Sequence, residues 1–456
     1  MRDRIPLIGA NPVHLAWGMG SLGTITMITS ISNLYLFFLV SVLKIAPALA
    51  GTLIFVSKVF DTVSDPAVGW LSDRTNTRWG RRRPFMLAGA LLGPVTLIAL
   101  FDPPSALLGL GEQGAILLLL LCYTAALTLF NVPYLAMPAE MTDDYHERSS
   151  IMSYRALFLV GGGFLGGSLA GPIIAEGGGG REGYATLGYV LAAVSFAAMM
   201  CAILFTKRAR FTQFKRPSIS RIRQARLFFA NSPFLFLALV KAFQFLQLAA
   251  GGASTLFFFI SVMDKNEALL FPFGASVIAG SLLSLPLWLP VLKRFGKKPV
   301  MLAALLVQAA LYISWLASGP QEPMAIFLAR GFLLGTMGAA ILVASQSMIV
   351  DTIEYDRKLS GLNREGLYSS VFSFVEKMMH ATGPLIVGVL LGWFGYDASI
   401  PRGEPQPAEA LFAIKFGQAI LPAICSLLMA AALMFYHLDE ETLAKVQRHP
   451  LGESEV

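Results

Sequence analysis

Charge is scarce in this chain: Asp, Glu, Lys and Arg make up 14% of its 456 residues, against roughly 25% in an ordinary water-soluble domain. Most of the chain therefore has no water-facing surface to supply. Cysteine is scarce as well, and Cys122, Cys201 and Cys425 all fall inside apolar segments. No extracellular pair is available, so disulfides are not expected and the three thiols read as packing groups. Histidine numbers five, and none lies near the acidic cluster described below. That excludes a transition-metal centre built on imidazole and thiolate.

What is abundant is hydrophobicity, at 55% of the chain. Apolar runs of about 20 residues recur from end to end, each long enough to cross a bilayer core. Helices are expected at roughly 13–40, 47–72, 84–102, 113–138, 150–176, 184–206, 231–262, 267–291, 298–318, 323–350, 366–396 and 408–436. The first of these is too long for a signal peptide and lacks a small-residue cleavage site, so it reads as a retained helix.

The net charge of +7 does not point to nucleic acid, because the basic residues gather in a few loops rather than on one amphipathic face. Arg74 to Arg83, Lys207 to Arg226, Lys293 to Lys298 and Arg357 to Arg364 fall in alternate loops. The other loops offer little beyond Lys44, Arg181, Lys265 and Arg402. By the positive-inside rule both termini are expected in the cytoplasm of a multi-pass protein of a bacterial-type inner membrane. The expected partners are lipid and a small molecule, with the chain a monomer.

The basic stretch from Lys207 to Arg226 cannot cross a membrane and divides the chain. The expected organisation is a six-helix bundle over 1–206, a cytoplasmic linker over 207–230, a second bundle over 231–437 and a tail over 438–456. The halves echo each other. Trp79-Gly80-Arg81-Arg82-Arg83-Pro84-Phe85-Met86 resembles Phe295-Gly296-Lys297-Lys298-Pro299-Val300-Met301, with the glycines 216 apart, and Arg148 and Arg364 keep the same separation. Duplicated bundles of this kind place a substrate near the bilayer midplane.

Ionisable residues at helix centres cost about 2.5–3.5 kcal/mol each, so each needs a partner or a task. They cluster in the second helix, where steps of three and four put Lys58, Asp61, Ser64 and Asp65 on one face. Two carboxylates a turn apart repel. The site must bind a cation, take up a proton or borrow a fixed positive charge. Hard oxygen ligands suit Na⁺, Li⁺ or H⁺, and Thr128 midway along the fourth helix can add a hydroxyl. Two cations are in plausible reach, Arg155 and Lys377; a lysine displaced from the acids when cation and solute enter would couple them. A static pair of Lys377 with Glu376 or another acid is the alternative.

Asp61-x-x-Ser64-Asp65-Pro66-x-x-Gly69-Trp70, followed by Arg78-Trp79-Gly80-Arg81-Arg82-Arg83-Pro84, resembles the glycoside-pentoside-hexuronide:cation symporters, the melibiose-permease group. Asn131-Val132-Pro133-Tyr134, Tyr154-Arg155 and Arg364-Glu365-Gly366-x-Tyr368 leading to Lys377 extend the resemblance over nearly the whole chain. It implies an all-α membrane protein of the major-facilitator fold, with twelve transmembrane helices in two pseudo-symmetric six-helix bundles. It also implies secondary active symport of a sugar, glycoside or uronide by alternating access, with Na⁺ or H⁺ as coupling ion and no cofactor. Asp61, Ser64, Asp65 and Thr128 would be the cation ligands, Ser64 standing where relatives often use Asn. Lys377 and Lys58 would couple, and Arg155 would face the substrate.

The substrate pocket departs from that pattern. The first-helix acid of the melibiose permeases aligns with Ile25, the lysine before it with Thr24, the fourth-helix acid with Asn131 and the aromatic after it with Leu135. What remains is a polar stripe of Thr26, Thr29, Ser30 and Asn33, which could equally be interhelical contacts. An amphipathic lipid, as carried by sodium-dependent lysophospholipid members of the family, is the alternative cargo. Gly161-Gly162-Gly163-x-x-Gly166-Gly167 lacks the Lys-Ser/Thr of a phosphate loop and reads as close helix packing. Asp73 with Arg81 and Arg82, Glu140, Asp143 and Asp144 with Arg148, and Arg364 in the second half are expected to gate the cytoplasmic face. A membrane enzyme or sensor lacks support: no His pair, no nucleophile with its base and no appended soluble domain are apparent.

Overall fold

The computed structural model describes residues 12–75, 77–104, 111–142, 145–206, 231–360, 365–401 and 403–438. The expected linker, most of the expected tail and Arg364 lie outside them. The described residues form long helices without strands. In chain order α1 is Pro12–Val42, α2 Pro47–Arg74, α3 Arg83–Phe101 and α4 Glu112–Ala136. Next come α5, Tyr145–Gly163 continued by Phe164–Ser168 and Ala170–Glu176, and α6, Gly180–Phe205. The second half follows with α7 Ser232–Val262, α8 Leu270–Phe295, α9 Lys297–Ala317, α10 Met324–Ser360, α11 Glu365–Trp393 and α12 Ala408–Met434.

Eleven of the described helices are long and apolar enough to span a bilayer. The twelfth, α2, has the length, at 28 residues, but Lys58, Asp61, Asp65, Asp73 and Arg74 spoil its apolar character. The residues that disqualify it by composition are those singled out as a site. At 37 residues α10 is the longest.

Two compact units emerge. One comprises Met1–Leu43 and Val56–Lys215, the other Lys44–Phe55 and Arg216–Val456. Within the first, α1 packs on α5 and α6, and α3 on α4 and α6; within the second, α7 packs on α11 and α12, and α9 on α10 and α12. Each pairing of the first unit thus has its counterpart six helices later. Local backbone repeats too. Leu36-Phe37-Phe38-Leu39-Val40-Ser41-Val42 and Leu256-Phe257-Phe258-Phe259-Ile260-Ser261-Val262 both finish in a π-helical turn. Each is followed by a residue in the left-handed region, Lys44 at φ 59° and Asp264 at φ 53°.

The repeated loop motif has a physical reason. Gly80 and Gly296 hold φ of 90° and 85°, a conformation that costs glycine nothing, just before α3 and α9 begin. The basic residues that follow reach back. Arg83 donates to the carbonyl of Thr206 at the end of α6 at 2.6 Å, and Lys298 donates to those of Met434 and Tyr436 at the end of α12 at 2.9 and 2.8 Å. Both loops thereby satisfy carbonyls left open where a helix stops. The glycine-rich stretch of α5 packs closely on α1. A Cβ on Gly166 would fall 2.2 Å from the carbonyl oxygen of Thr26, and the Thr26 hydroxyl donates to the Gly162 carbonyl at 3.3 Å.

Candidate functional site

Helix periodicity puts Asp61 and Ser64 on one face of α2, and packing brings α4 to that face. Thr128 Oγ1, in a side chain only 2% exposed, donates to Asp61 Oδ1 at 2.8 Å and lies 3.3 Å from Ser64 Oγ. Ser64 Oγ also donates to the Asp61 backbone carbonyl at 3.1 Å. Three of the four expected cation ligands therefore meet in one cluster, and Asp65 stands half-buried one turn further along α2. Each hydroxyl has one proton to give and keeps lone pairs for a hard cation. Lys58 is half-buried a turn earlier, its carbonyl accepting from Thr62 Oγ1 at 3.2 Å. The buried ring of Tyr123 on α4 places its hydroxyl within the electrostatic reach of Asp61, where it has no hydrogen-bond partner among the described residues.

The polar stripe on α1 is largely engaged with backbone. Thr24 Oγ1 donates to the Gly20 carbonyl at 3.2 Å, and Ser30 Oγ to the Met27 carbonyl at 2.9 Å. Thr29 and Asn33 are half-buried and border Gly167 of α5. On α4, Asn131 is half-buried and Leu135, one turn on, is 48% exposed. Between them Tyr134 is fully inside, stacked on Trp17 at 4.7 Å, with its hydroxyl bonded to Ser21 Oγ and to the Trp17 carbonyl, both at 2.8 Å. Arg155 on α5 acts electrostatically on that hydroxyl, and its buried Nε has no acceptor among the described residues.

Toward the basic loop of the first unit, Arg82 lies 3.5 Å from Asp73 and donates to the Pro133 carbonyl at 3.5 Å. Arg81 is half-buried. Arg148 lies in α5, but its side chain is outside the described set, as are those of Glu140, Asp143 and Asp144. In the second unit the corresponding loop pairs Lys297 with Asp351 at 2.6 Å. Lys377 is half-buried on α11 beside an exposed Glu376.

Three polar groups escaped the sequence reading. His14 on α1 meets Glu147 of α5 at 3.1 Å, and Thr142 donates to the same carboxylate at 2.5 Å. Arg330 on α10 is buried against Glu322 at 2.9 Å and lies over the Trp315 ring at 4.2 Å. Lys241 on α7 is 4% exposed and donates to Gln244 Oε1 at 2.8 Å and Ser345 Oγ at 2.9 Å. A basic residue inside an apolar run was the available signal for Lys241 and Arg330.

A family model described as MFS/sugar transport protein matches residues 16–440. The chain is 28% identical over 424 residues to a putative glycoside/cation symporter of Escherichia coli, YagG, covering 90% of this chain and 88% of the relative. It is 27% identical over 439 residues to the inner membrane symporter YicJ of the same organism, covering 95% and 93%. Among solved structures, a bacterial homologue of the human lysosomal transporter Spinster superimposes with a TM-score of 0.67 at 17% identity, covering 95% of this chain and 97% of that one.

Proposed function

The chain belongs to the MFS/sugar transport protein family, and we propose that within it the chain is a glycoside-pentoside-hexuronide:cation symporter that couples Na⁺ or H⁺ to a sugar, glycoside or uronide. It is a multi-pass membrane protein and a secondary active transporter of a small solute, working by alternating access, and it is not an enzyme. The observation that carries the cation-coupled reading is the cluster of Asp61, Ser64 and Thr128 in the middle of membrane-length helices. Its oxygens are hard, and carboxylates at such a depth are expensive unless they serve an ion.

In this reading Asp61, Ser64, Asp65 and Thr128 hold the cation, while Lys58 and Lys377 link its occupancy to that of the solute. Thr24, Thr29, Asn33, Asn131, Leu135 and Arg155 contribute the substrate side, with neutral hydrogen bonding replacing the acids of the melibiose permeases. Asp73, Arg81, Arg82, Arg148 and Arg364 gate the cytoplasmic face, where both termini lie. A cation falling through the membrane potential supplies about 2.3 kcal/mol per charge per 100 mV.

Uptake into proteoliposomes under an imposed Na⁺ or proton gradient tests the proposal. Asp61→Cys is expected to abolish gradient-driven uptake while leaving insertion and solute exchange measurable. Full gradient-driven uptake in that variant would sink the mechanism.

A further inference from the structure

The second unit holds a buried cation that the scheme above does not use. Lys241 sits within a membrane-length helix, and a charge there costs about 2.5–3.5 kcal/mol even on a lenient scale. An ammonium has three donors. Two are taken by neutral oxygens, Gln244 Oε1 at 2.8 Å and Ser345 Oγ at 2.9 Å. Neutral acceptors fix the position of a charge without balancing it. Among the described residues no carboxylate closes an ion pair with Lys241, although Glu376 of α11 acts on it through space.

Several side chains of α7 and α11 are less enclosed than Lys241 itself. Helices α7 and α11 pack together; Gln244, Phe245, Lys377 and His380 are only half-buried and Glu376 is exposed. The rings of Phe245 and His380 lie 5.5 Å apart. Charged and polar side chains within membrane spans favour water or a polar partner over hydrocarbon. Glu376, the carboxylate that acts on Lys241, is on the exposed side.

We propose that Lys241 is a specificity-determining residue that receives an anionic group of the transported solute, a carboxylate or a phosphate, with Gln244 and Ser345 holding the ammonium in place. The inference rests on the reading of the chain as a solute transporter and narrows its cargo. A neutral solute would leave the charge unbalanced, whereas an anion supplies the counter-ion and a charge-assisted hydrogen bond. Glu376 competes for the same field, so the free protein keeps a partial counter-charge that the solute replaces.

Binding to the purified full-length protein tests this with two matched pairs: phenyl β-glucuronide against phenyl β-glucoside, and lysophosphatidylglycerol against monoacylglycerol. The wild type is expected to bind the anionic member of one pair about ten-fold or more tighter than its neutral partner. The pair that responds identifies carboxylate or phosphate. Lys241→Met is expected to erase the preference with neutral-ligand affinity unchanged, Lys241→Arg to keep most of it, and Glu376→Gln to strengthen it. A wild type that binds the neutral glycoside as well as the glucuronide leaves the transport reading standing and overturns the inference. So does a preference that survives in Lys241→Met. Should Lys241→Met fail to fold, a preference unmoved by Glu376→Gln overturns it. Binding of neither pair rejects the sugar or amphiphile cargo itself, and the inference with it.

Discussion

Thr128 Oγ1 stands 2.8 Å from Asp61 Oδ1, a hydroxyl of α4 fixed on the carboxylate of α2. The bond joins residues 67 apart in sequence and sets the register of the two helices at the depth of the acidic face. Hydrogen bonds to charged groups contribute about 1.5–3 kcal/mol. Thr128→Ala is therefore expected to weaken cation-dependent solute binding about ten-fold or more, and Thr128→Ser to restore most of it. Titration of solute binding against Na⁺ and against pH gives the measurement. Equal losses in both variants would point to packing of the methyl group instead.

Arg81 occupies the loop between α2 and α3 beside the Asp73 and Arg82 pair. Networks that break on opening bias a two-state equilibrium without touching the ligand. Arg81→Gln is expected to change the uptake rate more than cation affinity. An unchanged rate argues against a gating role.

Arg83 and Lys298 act on stability through the helix ends they close. Removing either donor leaves carbonyls without their partner, at about 1–3 kcal/mol when the group is shielded from water. Arg83→Met and Lys298→Met should each lower the thermal midpoint. Their combined effect should be near additive, since each lies within its own unit.

Gly335 of α10 admits no side chain, because a Cβ there would lie 1.9 Å from the Val277 carbonyl oxygen of α8; at Gly280 it would lie 2.0 Å from that of Phe332. The two glycines let α8 and α10 approach backbone to backbone, and Ser281 Oγ donates to the Gly335 carbonyl at 3.0 Å. Gly335→Val is expected to lower the yield of folded protein sharply. Gly338→Ala, where a Cβ meets nothing, should be tolerated. Detergent-solubilised monodisperse yield separates the two.

Asp397, in the loop after α11, has its carboxyl held below the ordinary carboxylate value. The Ser399 hydroxyl and backbone N–H at 2.6 and 2.8 Å are the main cause, and the Lys44 charge adds to them. A lowered value means the stabilisation is present above the ordinary carboxylate range and is lost as pH falls through the lowered one. Asp397→Asn should lower thermal stability mainly at neutral pH and so flatten the acid-side decline, the two proteins converging as pH falls below the carboxylate range. An identical acid limb in both proteins contradicts the assignment.

Much of the architecture is legible from the order of apolar runs, because a segment that must bury its backbone in lipid has few options. The glycine of each basic loop was legible as a repeated motif, while the positive φ it holds before α3 and α9 is seen only in the structure. The face of Asp61 and Ser64 follows from helical spacing alone. That Thr128 joins it depends on how α4 packs, which spacing within one helix cannot encode. Lys241 was missed because a lone lysine in a 31-residue apolar span says nothing of its depth, and its partner Ser345 is 104 residues away. The π-helical endings of α1 and α7 escaped because no residue propensity distinguishes one widened turn from the α-helix around it.

The length of α10 has a mechanical corollary. At 1.5 Å per residue its 37 residues reach about 55 Å, while the hydrocarbon core is about 30 Å thick. About 25 Å of helix is left over for its two ends together; the stretch past Asp351, which pairs with Lys297 of the basic loop, is about 14 Å long and carries Glu354, Arg357 and Lys358. Such an overhang is a lever. A tilt of about 10° at the bilayer surface would swing its tip by about 2 Å, which makes that last charged turn a natural place for a spectroscopic label to register motion too small to follow inside the membrane.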